Sequence, residues 1–131
     1  MSKGVMQMIM DAKSRVGSAT AAETAERLRA GSAVVVDVRQ STEWDHRHID
    51  GSVPAPRGLL EFFADPTSPR HVEALDPDRP MIVVCHSGAR AALAAATLQD
   101  MGFADVSILD GGLTAWLDAG LPVTEHEYAG I

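Results

Sequence analysis

Cys85 is the single cysteine of the chain, and it opens the run Cys85-His86-Ser87-Gly88-Ala89-Arg90. Such a run can do chemistry. A cysteine thiolate is a nucleophile that forms covalent intermediates. The small residues after it leave room for several backbone N–H groups to converge into an anion-binding bowl. Gly88 can take the unusual backbone angles that such a ring of amides requires, and Arg90 adds a permanent positive charge. This setting favours thiolate over thiol and would hold the anion before and after a group is taken onto sulfur. The competing reading of Cys85 is a small buried hydrophobe, the commonest fate of a free cysteine.

The neighbours divide by role. Ser87 and Ala89 supply backbone amides to the bowl. Arg90 either faces the bowl and holds an anionic substrate bidentately, or turns back to an acid such as Asp37 or Glu43 and fixes the loop. His86 is read as solvent-facing or substrate-contacting more than as a proton carrier. Asp37 and Arg39 close a buried apolar run, and a structural ion pair is their expected role. Arg57, in Pro56-Arg57-Gly58-Leu59-Leu60-Glu61-Phe62-Phe63, is a candidate second cation at the mouth of the site. His48 is expected to hydrogen-bond backbone. The five histidines show no zinc-ligand spacing joined to cysteines, so neither metal nor cofactor is expected.

The elements that must position these residues are legible. Ala33-Val34-Val35-Val36-Asp37-Val38, Met81-Ile82-Val83-Val84-Cys85 and Val106-Ser107-Ile108-Leu109 are short apolar runs of the kind that forms strands buried on both faces. Helices are expected over 4–16, from the capping box Thr20-Ala21-Ala22-Glu23 to Ala30, over 91–101, and over 113–119. Residues 54–80 read as a long connection with one short helix near 59–64. Strands alternating with helices imply an α/β fold, with a mostly parallel central sheet and helices on both faces. Cys85 then lies at the carboxyl end of a strand, where open α/β sheets bind ligands. The helix behind it contributes about half a positive charge from its N-terminus.

Composition narrows the function further. A chain of 131 residues fits one domain, read as an N-terminal helical extension over 1–17, the domain over 18–125 and a tail over 126–131. The net charge of −7 argues against nucleic acid or a basic membrane patch as partners. The interrupted apolar run at the N-terminus is a poor signal peptide, and no stretch reaches the roughly 20 apolar residues of a membrane span. A cytoplasmic protein is expected.

Three segments together resemble one family. The loop Cys85-His86-Ser87-Gly88-Ala89-Arg90 resembles the active-site loop of the rhodanese (thiosulfate sulfurtransferase) family in its Cys-x-x-Gly-x-Arg form. Asp37-Val38-Arg39, with Glu43-Trp44 and His48-Ile49-Asp50-Gly51-Ser52, is similar to its first signature. Gly111-Gly112-Leu113-Thr114-Ala115-Trp116, with Gly120-Leu121-Pro122-Val123, is similar to its C-terminal one. Arg47 stands where the family commonly has glycine, and Ser52 where alanine is usual. The resemblance implies the three-layer rhodanese-like fold and a ping-pong reaction. Cys85 would take sulfur from a small sulfane-sulfur donor such as thiosulfate and pass it, as a persulfide, to a thiol or cyanide. A protein sulfur acceptor is the alternative. Cysteine phosphatases and arsenate reductases are rivals, but their loops usually place five residues between cysteine and arginine. Here there are four, which narrows the bowl towards a single sulfur. A binding or redox-sensing module without turnover is the other rival.

Overall fold

The computed structural model describes residues 2–126; the expected tail, apart from His126, lies outside the described residues. The elements run α1 (Val5–Arg15), β1 (Gly17–Ala19), α2 (Ala21–Ala30), β2 (Val34–Asp37), α3 (Ser41–His46), β3 (Arg47–Ile49), β4 (Val53–Pro54), a 3₁₀ turn (Arg57–Leu59), α4 (Leu60–Ala64), β5 (Met81–Val84), α5 (Ala89–Asp100), β6 (Val106–Leu109), α6 (Gly112–Asp118) and β7 (Val123–Glu125). Five strands form one parallel sheet in the order β1-β6-β5-β2-β4. A small antiparallel ribbon of β3 and β7 stands apart from it.

Every residue of β2 and β5 is buried, which is why these strands are continuous apolar runs and not alternating ones. Their side chains still alternate between two cores. Val34, Val36, Met81, Val83 and Cys85 face the layer holding α4 and α5. Val35, Ile82, Val84 and Leu109 face the opposite layer, with Leu113 and Trp116 of α6 and partly buried residues of α2. Helices thus cover both faces of the sheet, as the sequence predicts.

The topology dictates where a ligand can sit. The chain leaves β2 towards β4 on one side and leaves β5 towards β6 on the other, although β2 and β5 are neighbours. Their diverging exits open a crevice at the carboxyl ends of the two strands, the switch point of an open α/β sheet. Asp37 and Val84 are register partners there, and Cys85 follows at once.

The Thr20–Glu23 capping box is present in full, and Gly31 ends α2 in the left-handed region at φ 68°. By contrast α1 lies over α5, with Ala12 against Ala92 and Ala96 and with Ile9 and Leu93 partly buried beside them. Gln99 Nε2 donates to the Arg15 carbonyl at 2.9 Å, and Arg15 pairs with Asp100. The expected apolar face of α1 is buried only in part, because alanine-rich α5 offers a narrow surface; Val5 and Met8 stay exposed. No helix among the described residues is long and apolar enough to cross a membrane.

Candidate active site

Cys85 is 1% exposed, and its sulfur faces the start of α5. The backbone N–H of Gly88 donates to Sγ at 3.0 Å and that of Ala91 at 3.3 Å. Two amides of the expected bowl therefore point at the cysteine sulfur. Gly88 makes this possible: its φ of 123° lies where an L side chain is strained, and it turns the loop sharply into the helix. α5 accordingly begins at Ala89, two residues before the sequence-based start, and takes Arg90 into its first turn.

The outer side of the loop is held by α6. Leu113 N–H donates to the Cys85 carbonyl at 2.9 Å, and Thr114 N–H donates to the His86 carbonyl at 3.2 Å. Thr114 Oγ1 donates to the same His86 oxygen at 3.2 Å. With both carbonyls drawn outwards, the peptide planes of the loop are fixed from behind. The sequence shows Gly111-Gly112 plainly, yet this buttressing role had no signal beyond the paired glycines. Ser87 and the His86 side chain lie on the exposed surface of the loop.

Arg90 turns back to an acid. Its guanidinium donates to both oxygens of Glu43, at 2.8 and 3.2 Å, a fork-to-fork pair across 47 positions of sequence. The hydrogen bonds from Arg90 hold the Glu43 carboxyl at about 2, well below the ordinary carboxylate range, against the opposing pull of burial. Glu43 in turn raises the Arg90 pKa further. Glu43 also accepts the Gln40 N–H at 3.1 Å, closing the N-terminus of α3.

Asp37 and Arg39 form the expected structural pair, at 1% and 5% side-chain exposure. Arg39 Nε and Nη2 both reach the carboxylate, and Nη2 also donates to the Arg47 carbonyl at 2.6 Å. This ties the exit of β2 to the start of β3. His48 bonds backbone, with Nδ1 2.7 Å from the Trp44 carbonyl oxygen, and its ring stacks on Trp44 at 3.6 Å. Ser52 gains a function over alanine here: its Oγ accepts from Trp44 Nε1 at 3.1 Å.

Arg57 is drawn elsewhere. It donates to Glu61 at 2.9 Å and to Thr97 Oγ1 at 3.1 Å, beside a groove of about 300 Å³ between α1 and α5. Thr97 lies eight residues beyond Ala89, roughly 12 Å along the helix axis from the Cys85 loop. The structure thus gathers Cys85, Gly88, Arg90, Glu43, Asp37 and Arg39 around the crevice and leaves Arg57 outside it.

Comparison with known proteins agrees with this architecture. A family model described as a rhodanese-like domain matches residues 20–119. The thiosulfate sulfurtransferase GlpE of Pseudomonas fluorescens is 38% identical over 94 residues, covering 72% of this chain and 79% of that protein. Among solved structures, a Rhodopseudomonas palustris protein of unknown function, described as a possible tyrosine phosphatase, matches with a TM-score of 0.84 at 37% identity, over 95% of this chain and 96% of its own. The polysulfide-sulfur transferase homodimer from Wolinella succinogenes matches with a TM-score of 0.73 at 28% identity, over 94% and 88% of the two chains.

Proposed function

The chain belongs to the rhodanese-like domain family, and from that premise we propose a sulfurtransferase that moves sulfane sulfur from a small donor to a thiophilic acceptor through a persulfide on Cys85. The observation that carries this reading is the aim of the Gly88 and Ala91 amides at Cys85 Sγ. Two N–H dipoles stabilise an anion on that sulfur, which is the form needed to attack and the form left after each transfer.

The steps balance without a metal, a cofactor or an outside electron. Cys85 thiolate attacks the outer sulfur of thiosulfate, the S–S bond breaks, and sulfite leaves with the electron pair. Cys85 then carries a persulfide anion. Cyanide or the thiolate of a small thiol attacks the terminal sulfur and restores the Cys85 thiolate. One anion enters and one departs in each step, so no proton has to move at the sulfur. That is consistent with a loop whose own imidazole, His86, sits on its exposed surface.

The domain over residues 18–125 carries the chemistry in this reading, with α1 as an added cover on α5. A thiol that must stay reduced fits the cytoplasm. A persulfide carrier serving a protein acceptor would use the same first step and differ only in the second.

Intact-mass measurement after incubation with thiosulfate tests the proposal. The wild-type protein should gain the mass of one sulfur atom and lose it on addition of cyanide, while Cys85→Ser should gain nothing. The phosphatase description of the Rhodopseudomonas palustris protein makes a phosphate ester the right control. Hydrolysis of that ester by a protein that no sulfane donor can load would sink the sulfurtransferase reading.

A further inference from the structure

α1 runs alongside α5 in the same direction. Gln99 meets the Arg15 carbonyl and Asp100 meets the Arg15 guanidinium, pairs separated by 84 and 85 positions, and Ala12 lies against Ala92 and Ala96. The same offset, carried back two turns, sets Val5 beside Ala89, the first residue of α5 and a member of the Cys85 loop. β1 requires that direction as well. It follows α1 at once and pairs in parallel with β6 from Gly17 and Ser107 onwards, so α1 must come down from the carboxyl end of the sheet. The N-terminal half of α1 therefore stands at the same end of the sheet as Cys85.

That half is apolar and uncovered. Among the described residues the exposed large hydrophobics are Val5, Met6, Met8, Met10 and Phe62, so four of the five sit on one helix of 11 residues. Val5 shares a stripe with Ala12 at i, i+7 spacing, yet Ala12 is 4% exposed and Val5 58%, because α5 has only begun at that level. Met6, Met10 and Lys13 form a second exposed stripe on the outer side. The charge of this segment is distinct too. Lys3, Lys13 and Arg15 against Asp11 give the first 16 residues a charge of +2, whereas the whole chain carries −7. A basic, methionine-rich patch on an acidic body suits an apolar partner surface of acidic character, since methionine adapts its shape and the charges are complementary.

The four side chains of α1 expose on the order of 400 Å², about half of what one partner contributes to a stable interface. That area fits an encounter that dissociates after each transfer, not a permanent dimer. Antiparallel pairing of two copies through Met6 and Met10 would also bring each Lys13 to the positive N-terminal end of the other helix. Resting on the sulfurtransferase reading above, we propose that α1 is the docking surface for a protein sulfur acceptor whose thiol-bearing face is apolar and ringed by acidic residues. The thiolate of the docked acceptor attacks the terminal sulfur of the Cys85 persulfide. A new S–S bond forms on the acceptor, the bond to Cys85 breaks, and Cys85 keeps the electron pair as thiolate. The acceptor departs as a persulfide anion, and the charge balances.

Two synthetic peptides of about twelve residues, each with a cysteine at one end, serve as acceptors; at about 3.3 Å per residue they are long enough to reach from Cys85 along α1. One carries leucine and glutamate in its far half, the other serine and lysine. The full chain is loaded with thiosulfate, freed of donor and mixed with each peptide or with cyanide, and intact mass follows the sulfur leaving Cys85. Wild type should pass sulfur to the leucine–glutamate peptide about tenfold faster than to the serine–lysine peptide. Met6→Gln with Met10→Gln, both at exposed positions, should remove most of that preference and leave the cyanide rate unchanged. Lys13→Glu should slow the acidic peptide and speed the basic one. Equal rates for the two peptides in wild type would overturn the proposal. So would a double variant that keeps the preference or loses the cyanide reaction equally, or a wild-type dimer in sedimentation that the double variant turns into monomer. Failure of thiosulfate and every other sulfane donor to load Cys85 would instead remove the sulfurtransferase reading, and this proposal with it.

Discussion

Gly112 stands so close to the carbonyls of Cys85 and His86 that a Cβ built on it would lie 2.6 Å from each oxygen. Its φ of 58° places it in the left-handed region as well. Two requirements therefore meet at one residue, and both follow from bringing the Leu113 and Thr114 amides onto the back of the loop.

Gly112→Ala should accordingly disturb the reactive loop from behind. The clash is with backbone, which cannot rotate away, so a loss of about 3 kcal/mol is expected from overpacking and backbone strain together. Gly88→Ala is the instructive contrast: nothing lies within 4 Å of its Cβ, and strain alone, about 1–2 kcal/mol, applies. Urea unfolding of the two variants should rank them in that order. Sulfur loading of Gly112→Ala should slow more than tenfold if the amide geometry at Cys85 depends on this support.

The Glu43–Arg90 pair predicts an acid-dependent stability. The folded carboxyl sits at about 2 against an ordinary value of 4.5, so the pair stabilises the fold fully above about 4.5 and loses its effect as pH falls through about 2. About a third of the Glu43 side chain is solvent-exposed, which screens the interaction to about 1 kcal/mol. Chemical denaturation of wild type and Glu43→Gln across pH 2–7 should show a gap of that size at neutral pH, narrowing below 4.5. A gap independent of pH would mean that the charge of Glu43 contributes nothing to stability.

Asp37 should be the costliest single acid to remove. Its carboxylate is buried and carries the Arg39 guanidinium, which in turn holds the Arg47 carbonyl. Asp37→Ala leaves a buried, unpaired guanidinium and should destabilise the protein by about 3–5 kcal/mol in equilibrium unfolding. Exchanging the exposed pair Arg29–Glu26 for alanines should cost well under 1 kcal/mol and serves as the control.

Much of this arrangement is legible in the sequence because strong local signals coincide with it. The valine-rich runs of β2 and β5 need burial on both faces, and that alone puts Cys85 at a strand end. Thr20 and Glu23 announce α2, and Gly31 stops it. The short strands β1, β3, β4 and β7 leave no such trace, since two or three residues cannot establish a period. The partner of Arg90 was equally hidden. Asp37 and Glu43 were both available in sequence, and the choice between them rests on how α3 is carried across the crevice after β2. Arg57 was a candidate second cation at the mouth, but Glu61, one helical turn on, captures it locally.

The layering of α1 over α5 bears on when the work of orienting the site is done. α5 supplies the Ala91 amide to Cys85, and six of its residues are buried between the sheet and the helices packed upon it. Such an element has little freedom to shift as charge moves on and off the sulfur. In the proposed sulfur transfer the amide dipoles would then not have to swing into place at each step, which would lower the reorganisation energy. The N-terminal helix, far from the sulfur in sequence, takes part in that preorganisation by clamping the helix that presents the dipole.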